Sequence, residues 1–296
     1  MSHRKNSTAD LKKSLLEIQK KFGVVGRKEE ILNLLHCVMA GKHVLLEGPV
    51  GVGKTFLVNA VAACLDRGVV RVDGDTRYTE QKLTGWFDPP SVLKKGYGKE
   101  TYFDGPLSQA LREGSILFIN ELNRMPEGVQ NVLLPALDEK RLEIPRVGTL
   151  EAEDGFCVIA TQNPREFVAT SHLSEALLDR FELITLTYQS EEDEREILKQ
   201  STAYKNGKDS ADNALLNLCL STIHSTRESP LFKRGASIRA GISLYDIAQS
   251  MGGVNSFDRA CLLALPTRVE LSEEGVELGM QKALQQTMQE AKKKSH

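Results

Sequence analysis

The stretch GPVGVGKT, residues 48 to 55, has the composition of a loop that cradles phosphate groups. Its glycines allow backbone N–H groups to converge on phosphate oxygens, and the helix that follows adds the positive end of its dipole. At this spacing Lys54 would reach the β- and γ-phosphates of a nucleotide, and Thr55 would hold Mg²⁺. The apolar stretch HVLLE directly before the loop is typical of a buried strand. The sequence therefore predicts an ATP site here rather than a chance glycine-rich turn.

A second apolar strand, ILFIN, ends at Asn120 and is followed by Glu121. A carboxylate at the end of a strand beside the phosphate loop can accept a proton from an attacking water, so Glu121 is the predicted general base. The alternative for Glu121 is an acid that only caps a helix. Asn120 stands where a nucleotide hydrolase usually carries another acid. Its amide oxygen can still bind a water of Mg²⁺, and the pattern predicts an active but slow ATPase.

A third apolar strand lies in CVIATQNP and ends at Asn163. The amide of Asn163 is suited to hydrogen-bond the γ-phosphate or the attacking water. An asparagine before proline is also a common turn former, and this reading is the alternative.

The order of strand and helix patterns predicts an α/β fold. Apolar strands are expected near 43–47, 69–73, 115–120, 156–162 and 182–188, with helices between them, which favours a mostly parallel five-stranded sheet flanked by helices. An amphipathic helix is expected within 1–22, the α/β nucleotide-binding domain over 23–189, and a small all-helical lid domain over 190–296. Hairpin inserts are expected near 86–104 and 140–155.

Composition and charge disfavour three classes of protein: dedicated nucleic-acid binders, disulfide-stabilised proteins and membrane-spanning proteins. The chain has 296 residues and a net charge of -2, which disfavours a dedicated nucleic-acid binder. Five widely spaced cysteines without a CxxC pair indicate reduced thiols rather than a disulfide framework. No apolar run reaches the roughly 18 to 20 residues of a membrane span, so a cytoplasmic protein without a span is expected.

The motifs VVGR, GPVGVGKT, ILFINELNR, ATQNP, LLDRF and GASIRA, in this order and spacing, resemble the MoxR branch of the AAA+ ATPases. The resemblance spans roughly residues 15 to 270. It implies a P-loop AAA+ fold and a homo-oligomeric ring, commonly a hexamer, with ATP and Mg²⁺ at the subunit interfaces. It also implies chaperone-like remodelling or maturation of a protein client, with a von Willebrand factor A domain protein as a partner.

The resemblance also implies individual roles. Val24 and Val25 would lie near adenine, Asn163 would be the first sensor, Arg180 of LLDRF the arginine finger, and Arg239 of GASIRA the second sensor. Single arginines are often surface residues, which is the alternative for both. The residues assigned to nucleotide binding are Val24, Val25, Gly48, Val50, Gly51, Val52, Gly53, Lys54, Thr55, Phe56 and Arg239; those assigned to catalysis are Lys54, Glu121, Asn163, Arg180 and Arg239; those assigned to Mg²⁺ are Thr55 and Asn120.

Several other residues have two open readings. Trp86, Phe87 and Tyr97 of the first insert would face a ring pore or a partner, or would pack locally. Arg124 would face the next subunit or form a local salt bridge. Arg141 and Arg146 of the second insert are candidate partner contacts or solvated charges. Pro135 should kink its helix or lie in its first turn.

Two functions compete with an ATP-driven remodelling enzyme. One is a nucleotide-gated scaffold that binds ATP and assembles with little or no hydrolysis. The other is a nucleic-acid-directed motor, which the charge balance and the scarcity of basic clusters disfavour.

Overall fold

The computed structural model of the protein describes residues 8–163, 173–202, 204 and 210–294. Within these residues the chain divides into two compact units. Unit 1 comprises residues up to Pro49 and Gly53–Thr187, and unit 2 comprises Val50–Val52 and the chain from Tyr188 onward. Val50–Val52, in the middle of the phosphate loop, thus belong to unit 2.

Unit 1 is built on a five-stranded sheet in which every neighbouring pair is parallel. Its strands are β1 His43–Glu47, β2 Val69–Asp73, β3 Ile116–Asn120, β4 Cys157–Gln162 and β5 Phe181–Thr185. They lie in the order β2-β3-β4-β1-β5. This result confirms the predicted α/β class, and each predicted strand lies within two to three residues of an observed one.

The three central strands β1, β3 and β4 are apolar and buried along nearly their whole length. Parallel strands that are covered on both faces read as continuous apolar runs, which is why ILFIN and CVIA were recognisable in the sequence. The helices and 3-10 turns of unit 1 are Thr8–Lys21, Lys28–Met39, Lys54–Cys64, Glu80–Thr84, Pro89–Lys95, Lys99–Thr101, Pro106–Glu113, Leu122–Arg124, Glu127–Asn131, Leu134–Asp138 and Glu175–Leu178.

The first helix, Thr8–Lys21, packs against the helices Lys28–Met39 and Lys54–Cys64. Leu11 of this helix is buried, and Ile18 is fully enclosed. Residues 1–7 of the expected N-terminal segment lie outside the described residues. Pro135 lies in the first turn of its short helix, where its missing N–H costs nothing.

Unit 1 also contains two antiparallel strand pairs. Gly85–Phe87 pairs with Tyr102–Asp104, and Arg141–Ile144 pairs with Gly148–Glu151. Trp86 is half exposed and stacks on Phe103 with ring centroids 6.1 Å apart. Local packing against Phe103 therefore accounts for part of the Trp86 side chain, and about half of the residue stays exposed.

Unit 2 is helical, with a core that includes the fully buried Tyr245 and Phe257. It also contains a short antiparallel pair, Phe232–Arg234 with Glu270–Leu271, so the expectation of helices alone was incomplete. Strands this short carry too little periodicity to be seen in sequence. The helices and 3-10 turns of unit 2 are Glu191–Ser201, Ser210–Glu228, Ile238–Ser250, Gly253–Ser256, Phe257–Ala264, Glu273–Leu278 and Met280–Lys294.

A buried ion-pair network joins two helices of unit 2. Arg227 and His224 both contact the carboxylate of Glu194, which is 1% exposed. Burial acts to raise the pKa of Glu194, but the hydrogen bonds from His224 and Arg227 outweigh it and leave the pKa below its ordinary value. A charged carboxylate inside this unit is therefore satisfied by its partners.

All five cysteines are free thiols. Among the described residues no helix has the length and apolar content needed to cross a bilayer.

Candidate nucleotide site

The phosphate loop connects β1 to the helix Lys54–Cys64 and depends on its glycines. Gly51 and Gly53 have φ values of 86° and 93°, in the left-handed region that favours glycine. A Cβ on Gly48 would lie 2.2 Å from the carbonyl oxygen of Leu186. Any larger residue at position 48 would therefore force the loop away from its neighbour.

The Lys54 side chain folds back across this loop. Its Nζ donates hydrogen bonds to the carbonyl oxygens of Gly48 at 2.5 Å and Pro49 at 3.1 Å. The helix N-cap is Gly53, which has no side chain to accept from the first-turn N–H groups. An ammonium group and an uncapped helix start thus occur together, and both favour an anion.

Asn120, at the end of β3, is held by the two strands that flank it. Its Nδ2 donates to Oδ1 of Asp73 on β2 at 3.0 Å, and its Oδ1 accepts from the hydroxyl of Thr161 on β4 at 3.1 Å. These contacts fix which end of the amide faces each strand. Sequence reasoning did not identify Asp73 or Thr161, although both lie at the carboxyl ends of predicted strands.

Glu121 follows in a left-handed conformation, with φ 57° and ψ 53°. Its backbone N–H donates to Oγ1 of Thr161 at 2.9 Å, and Oε2 of its carboxylate accepts from Arg124 at 2.9 Å. The local salt bridge is therefore present for Arg124. Left-handed backbone is uncommon outside glycine, and it turns the carboxylate out of the line of the strand.

Thr161 links these two residues. It is fully buried, and its single hydroxyl accepts from Glu121 and donates to Asn120. One hydrogen-bond chain therefore runs from the Glu121 N–H through Thr161 and Asn120 to the carboxylate of Asp73.

Asp73 is also bound by Arg71, whose Nη2 lies 2.7 Å from Oδ1. The hydrogen bond from Arg71, followed by that from Asn120, lowers the pKa of Asp73. Asp73 is thus an ionised partner for the amide.

The polar ends of β1 and β4 are paired as well. Gln162 donates to the carboxylate of Glu47 at 2.6 Å. The next residue, Asn163, is 6% exposed. Because the carboxyl ends of parallel strands meet at one edge of a sheet, the described side chains of Glu47, Asn120 and Asn163 belong to the same edge.

Arg180 lies just before β5 and contacts the end of the Leu134–Asp138 helix. Its Nη2 lies 2.6 Å from Oδ2 of Asp138, and Nη1 donates to the carbonyl oxygen of Ala176. The hydrogen bond to Asp138 raises the pKa of Arg180. The candidate finger is therefore a charged side chain held against its own subunit.

The two valines before Gly26 differ in exposure. Val24 is buried and Val25 is half buried. Arg27 follows them in a left-handed conformation and donates to the carbonyl oxygen of Thr187 at 2.6 Å. This bond ties the start of the Lys28–Met39 helix to the residues after β5.

Arg239 belongs to unit 2, in the first turn of the helix Ile238–Ser250, and it is exposed. It lines a cavity of 200 Å³ that is also lined by Val50 and by two further arginines, Arg234 and Arg268. Arg234 and Arg268 were not predicted from the sequence, because they are brought together by the pairing of Phe232–Arg234 with Glu270–Leu271.

Thr55 and Asn120 are the residues proposed for Mg²⁺. Both would bind it through uncharged oxygen atoms. Among the described residues no group of three or more His, Cys, Asp or Glu side chains is placed to hold a metal ion. Mg²⁺ usually keeps several waters and is bound through few protein groups together with substrate phosphates, so this donor set fits it. One lone pair of Asn120 Oδ1 is already used by Thr161.

The parallel sheet, the glycine-rich loop and the polar strand ends define a P-loop nucleotide-binding fold. The family model of the AAA domain, dynein-related subfamily, matches residues 43–181. An uncharacterized protein of Staphylococcus haemolyticus is 31% identical over 212 residues, which are 71% of this chain and 79% of the relative. The uncharacterized Bacillus subtilis protein YojN is 29% identical over 240 residues, 78% of this chain and 77% of YojN. The chain belongs to the AAA+ ATPases, in the family of the dynein-related AAA domain.

Solved structures agree with this fold. A presumed ATPase from Cytophaga hutchinsonii has a TM-score of 0.52 at 25% identity, covering 96% of this chain and 94% of that one. A variant of RuvB from Thermotoga maritima has a TM-score of 0.53 at 18% identity, covering 90% of this chain and 70% of RuvB. The second likeness concerns the fold alone.

Proposed function

We propose that this protein is a MoxR-type AAA+ ATPase that hydrolyses ATP with Glu121 as the general base. The observation that carries the proposal is the placement of Glu121 at the end of β3, where Thr161 binds its N–H and Arg124 binds its carboxylate. A general base needs a fixed position more than it needs a second acid beside it.

The other groups suit phosphoryl transfer, which is catalysed mainly by positioning and by cations near the developing charge. Bound Mg²⁺ would neutralise charge on the phosphate oxygens. Lys54 would exchange the carbonyl oxygens of Gly48 and Pro49 for phosphate oxygens, and Asn163 would orient the attacking water. Arg180 and Arg239 would complete the positive surroundings of the terminal phosphate.

We further propose that the active form is a homo-oligomeric ring, a hexamer by resemblance to the MoxR branch. In such a ring Arg180 would leave Asp138 and reach the nucleotide of the neighbouring subunit. The same resemblance supports a chaperone-like role on a protein client, with a von Willebrand factor A domain protein as partner, in the cytoplasm.

Steady-state phosphate release tests the proposal. We expect turnover with Mg²⁺ and ATP whose specific activity rises with protein concentration, because the site is completed by a neighbour. Lys54→Ala should lose nucleotide binding, and Glu121→Gln should keep binding and lose turnover by about 100-fold or more. Turnover that is unchanged in Glu121→Gln would contradict the proposed base.

A nucleotide-gated scaffold is the second candidate, and the contacts of Asn120 favour it. Both ends of the amide are engaged, by Asp73 and Thr161, so one lone pair of the uncharged Oδ1 is all that Asn120 can offer to a metal-bound water. Nucleotide-dependent assembly without phosphate release, with or without a partner protein, would select this function.

A further inference from the structure

The arginine-lined cavity of unit 2 has the features of an anion site. Arg234, Arg239 and Arg268 line it together with the polar residues Ser237 and Thr267. Its volume of 200 Å³ is below the roughly 300 Å³ at which pockets begin to enclose a whole small-molecule ligand. The cavity therefore suits a single anionic group rather than an entire nucleotide.

The start of the helix Ile238–Ser250 contributes to this cavity. The helix has 13 residues, and its N-cap Ser237 makes no side-chain capping hydrogen bond. An uncapped helix N-terminus leaves backbone N–H groups and the positive end of the dipole available to an anion. The N-cap Ser237 and Arg239 in the first turn both line the cavity.

Arg268 has an unused donor. Its Nη1 is buried from solvent and makes no hydrogen bond within the described part of the chain. A buried guanidinium nitrogen without a partner is costly, and a bound anion would satisfy it. The Nε of Arg234 is in the same condition, and the nearest carboxylate oxygen of Glu270 lies 3.8 Å from it.

The phosphate loop contributes one residue to the lining of the cavity, which indicates that the anion is a phosphate group. Val50 of the phosphate loop is one of the lining residues, and a Cβ on the adjacent Gly51 would lie 2.4 Å from Oγ of Ser237. Guanidinium groups bind phosphate through paired N–H donors, which suits the remaining space.

We propose that Arg268 is a phosphate-binding residue, acting with Arg239 and the first turn of the helix Ile238–Ser250. This inference rests on the proposed function for the source of the phosphate, which is the terminal phosphate of ATP or the free phosphate after hydrolysis. Arg234 supports the site from the strand Phe232–Arg234 by adding positive charge.

Equilibrium binding to Arg268→Gln and Arg268→Lys tests the inference, with Arg259→Gln as the matched control. Arg259 is an exposed arginine of the helix Phe257–Ala264 and does not line the cavity. Dissociation constants are measured for ATP, ADP, AMP and inorganic phosphate by calorimetry, and melting temperatures are recorded for each variant. We expect Arg268→Gln to weaken ATP binding at least about 10-fold with AMP binding unchanged, and Arg268→Lys to recover part of the loss.

The comparison of ligands distinguishes the terminal phosphate of ATP from free phosphate. It also distinguishes failure of the anion site from failure of the ATPase proposal. A larger loss for ATP than for ADP assigns the terminal phosphate, whereas a loss confined to inorganic phosphate in the presence of ADP assigns the product. Equal affinity of Arg268→Gln and Arg259→Gln for both ATP and inorganic phosphate overturns the role of Arg268 and leaves the ATPase proposal standing. If the unmodified protein binds no ATP, the ATPase proposal fails; the anion site then stands only if inorganic phosphate binding is lost in Arg268→Gln. If Arg268→Gln and Arg268→Lys both melt early and lose AMP equally, the residue is structural and the inference is wrong.

Discussion

Asn120 and Asp73 are joined across the carboxyl ends of β3 and β2 by a hydrogen bond of 3.0 Å from the amide Nδ2 to the carboxylate Oδ1. The residue that replaces an acid is thus a donor to an acid on the neighbouring strand. An aspartate at position 120 would place two carboxylates at this distance.

Asn120→Asp should therefore fail as a simple restoration. The repulsion would raise the pKa of one carboxyl group of the pair and lower stability at neutral pH by about 1 kcal/mol, a small value because Asp73 is largely exposed. Urea unfolding at pH 8 and pH 4.5 measures the effect, which should shrink at the lower pH, where the pair holds a proton. The double variant Asn120→Asp with Asp73→Asn should recover the loss; equal stability of Asn120→Asp and the unmodified chain would refute the pairing.

Thr161 is expected to control both Asn120 and Glu121. Thr161→Val keeps the side-chain volume but leaves the Glu121 N–H without its acceptor, so it should cost about 1 to 3 kcal/mol of stability and lower kcat at least about 10-fold with little change in nucleotide affinity. Thr161→Ser keeps the hydroxyl and is the control. Urea unfolding curves measure the loss of stability, and phosphate release measures kcat. A kcat of Thr161→Val equal to that of the unmodified chain would disprove the role of Thr161 in positioning Glu121.

Arg180→Ala should lower turnover by about 1,000-fold, because a trans arginine stabilises charge in the transition state. Arg141→Ala, which removes an arginine that begins the strand Arg141–Ile144 and pairs with Glu139, is the charge-matched control and should change turnover little. Mixing Arg180→Ala with Glu121→Gln subunits should restore measurable activity, since hybrid interfaces contain both groups. Absence of recovery in the mixture, with assembly intact, would argue against a shared site.

His43 should make the stability of unit 1 depend on pH. Its Nδ1 accepts from the N–H of Val158 at 2.9 Å and its Nε2 lies 3.1 Å from the carbonyl oxygen of Leu137, an arrangement that requires the neutral ring. Burial lowers the pKa of His43 to about 4. Because this pKa lies below that of the unfolded chain, about 6.5, the stability is complete above pH 6.5 and falls as the pH drops toward 4.

The expected loss from His43 is about 2 kcal/mol between pH 8 and pH 5. Urea unfolding of the unmodified chain and of His43→Gln at both pH values measures it, and His36→Gln, at an exposed position, is the control. The pH dependence should be smaller by this amount in His43→Gln alone. An equal dependence in all three proteins would show that His43 does not titrate in this range.

The sheet could be predicted because its central strands are continuous apolar runs that end in polar residues. The phosphate loop could also be predicted from the sequence, because Lys54 and Thr55 follow its glycines at a fixed spacing. Asp73 and Thr161 were not predicted as partners of Asn120, because the register that places them beside it is set by strand pairing rather than by local sequence. Arg268 depends in the same way on an antiparallel pair too short to leave a periodic pattern.

The roles of Glu121 and Asn120 together are tested most directly by the nucleotide that the protein retains. The unmodified chain and Glu121→Gln are incubated with Mg²⁺ and ATP, separated from free nucleotide, and the bound nucleotide is identified by chromatography. We expect ADP on the unmodified chain, with phosphate released, and intact ATP on Glu121→Gln. Intact ATP on both would show that this site binds ATP without hydrolysing it and would contradict the proposed function.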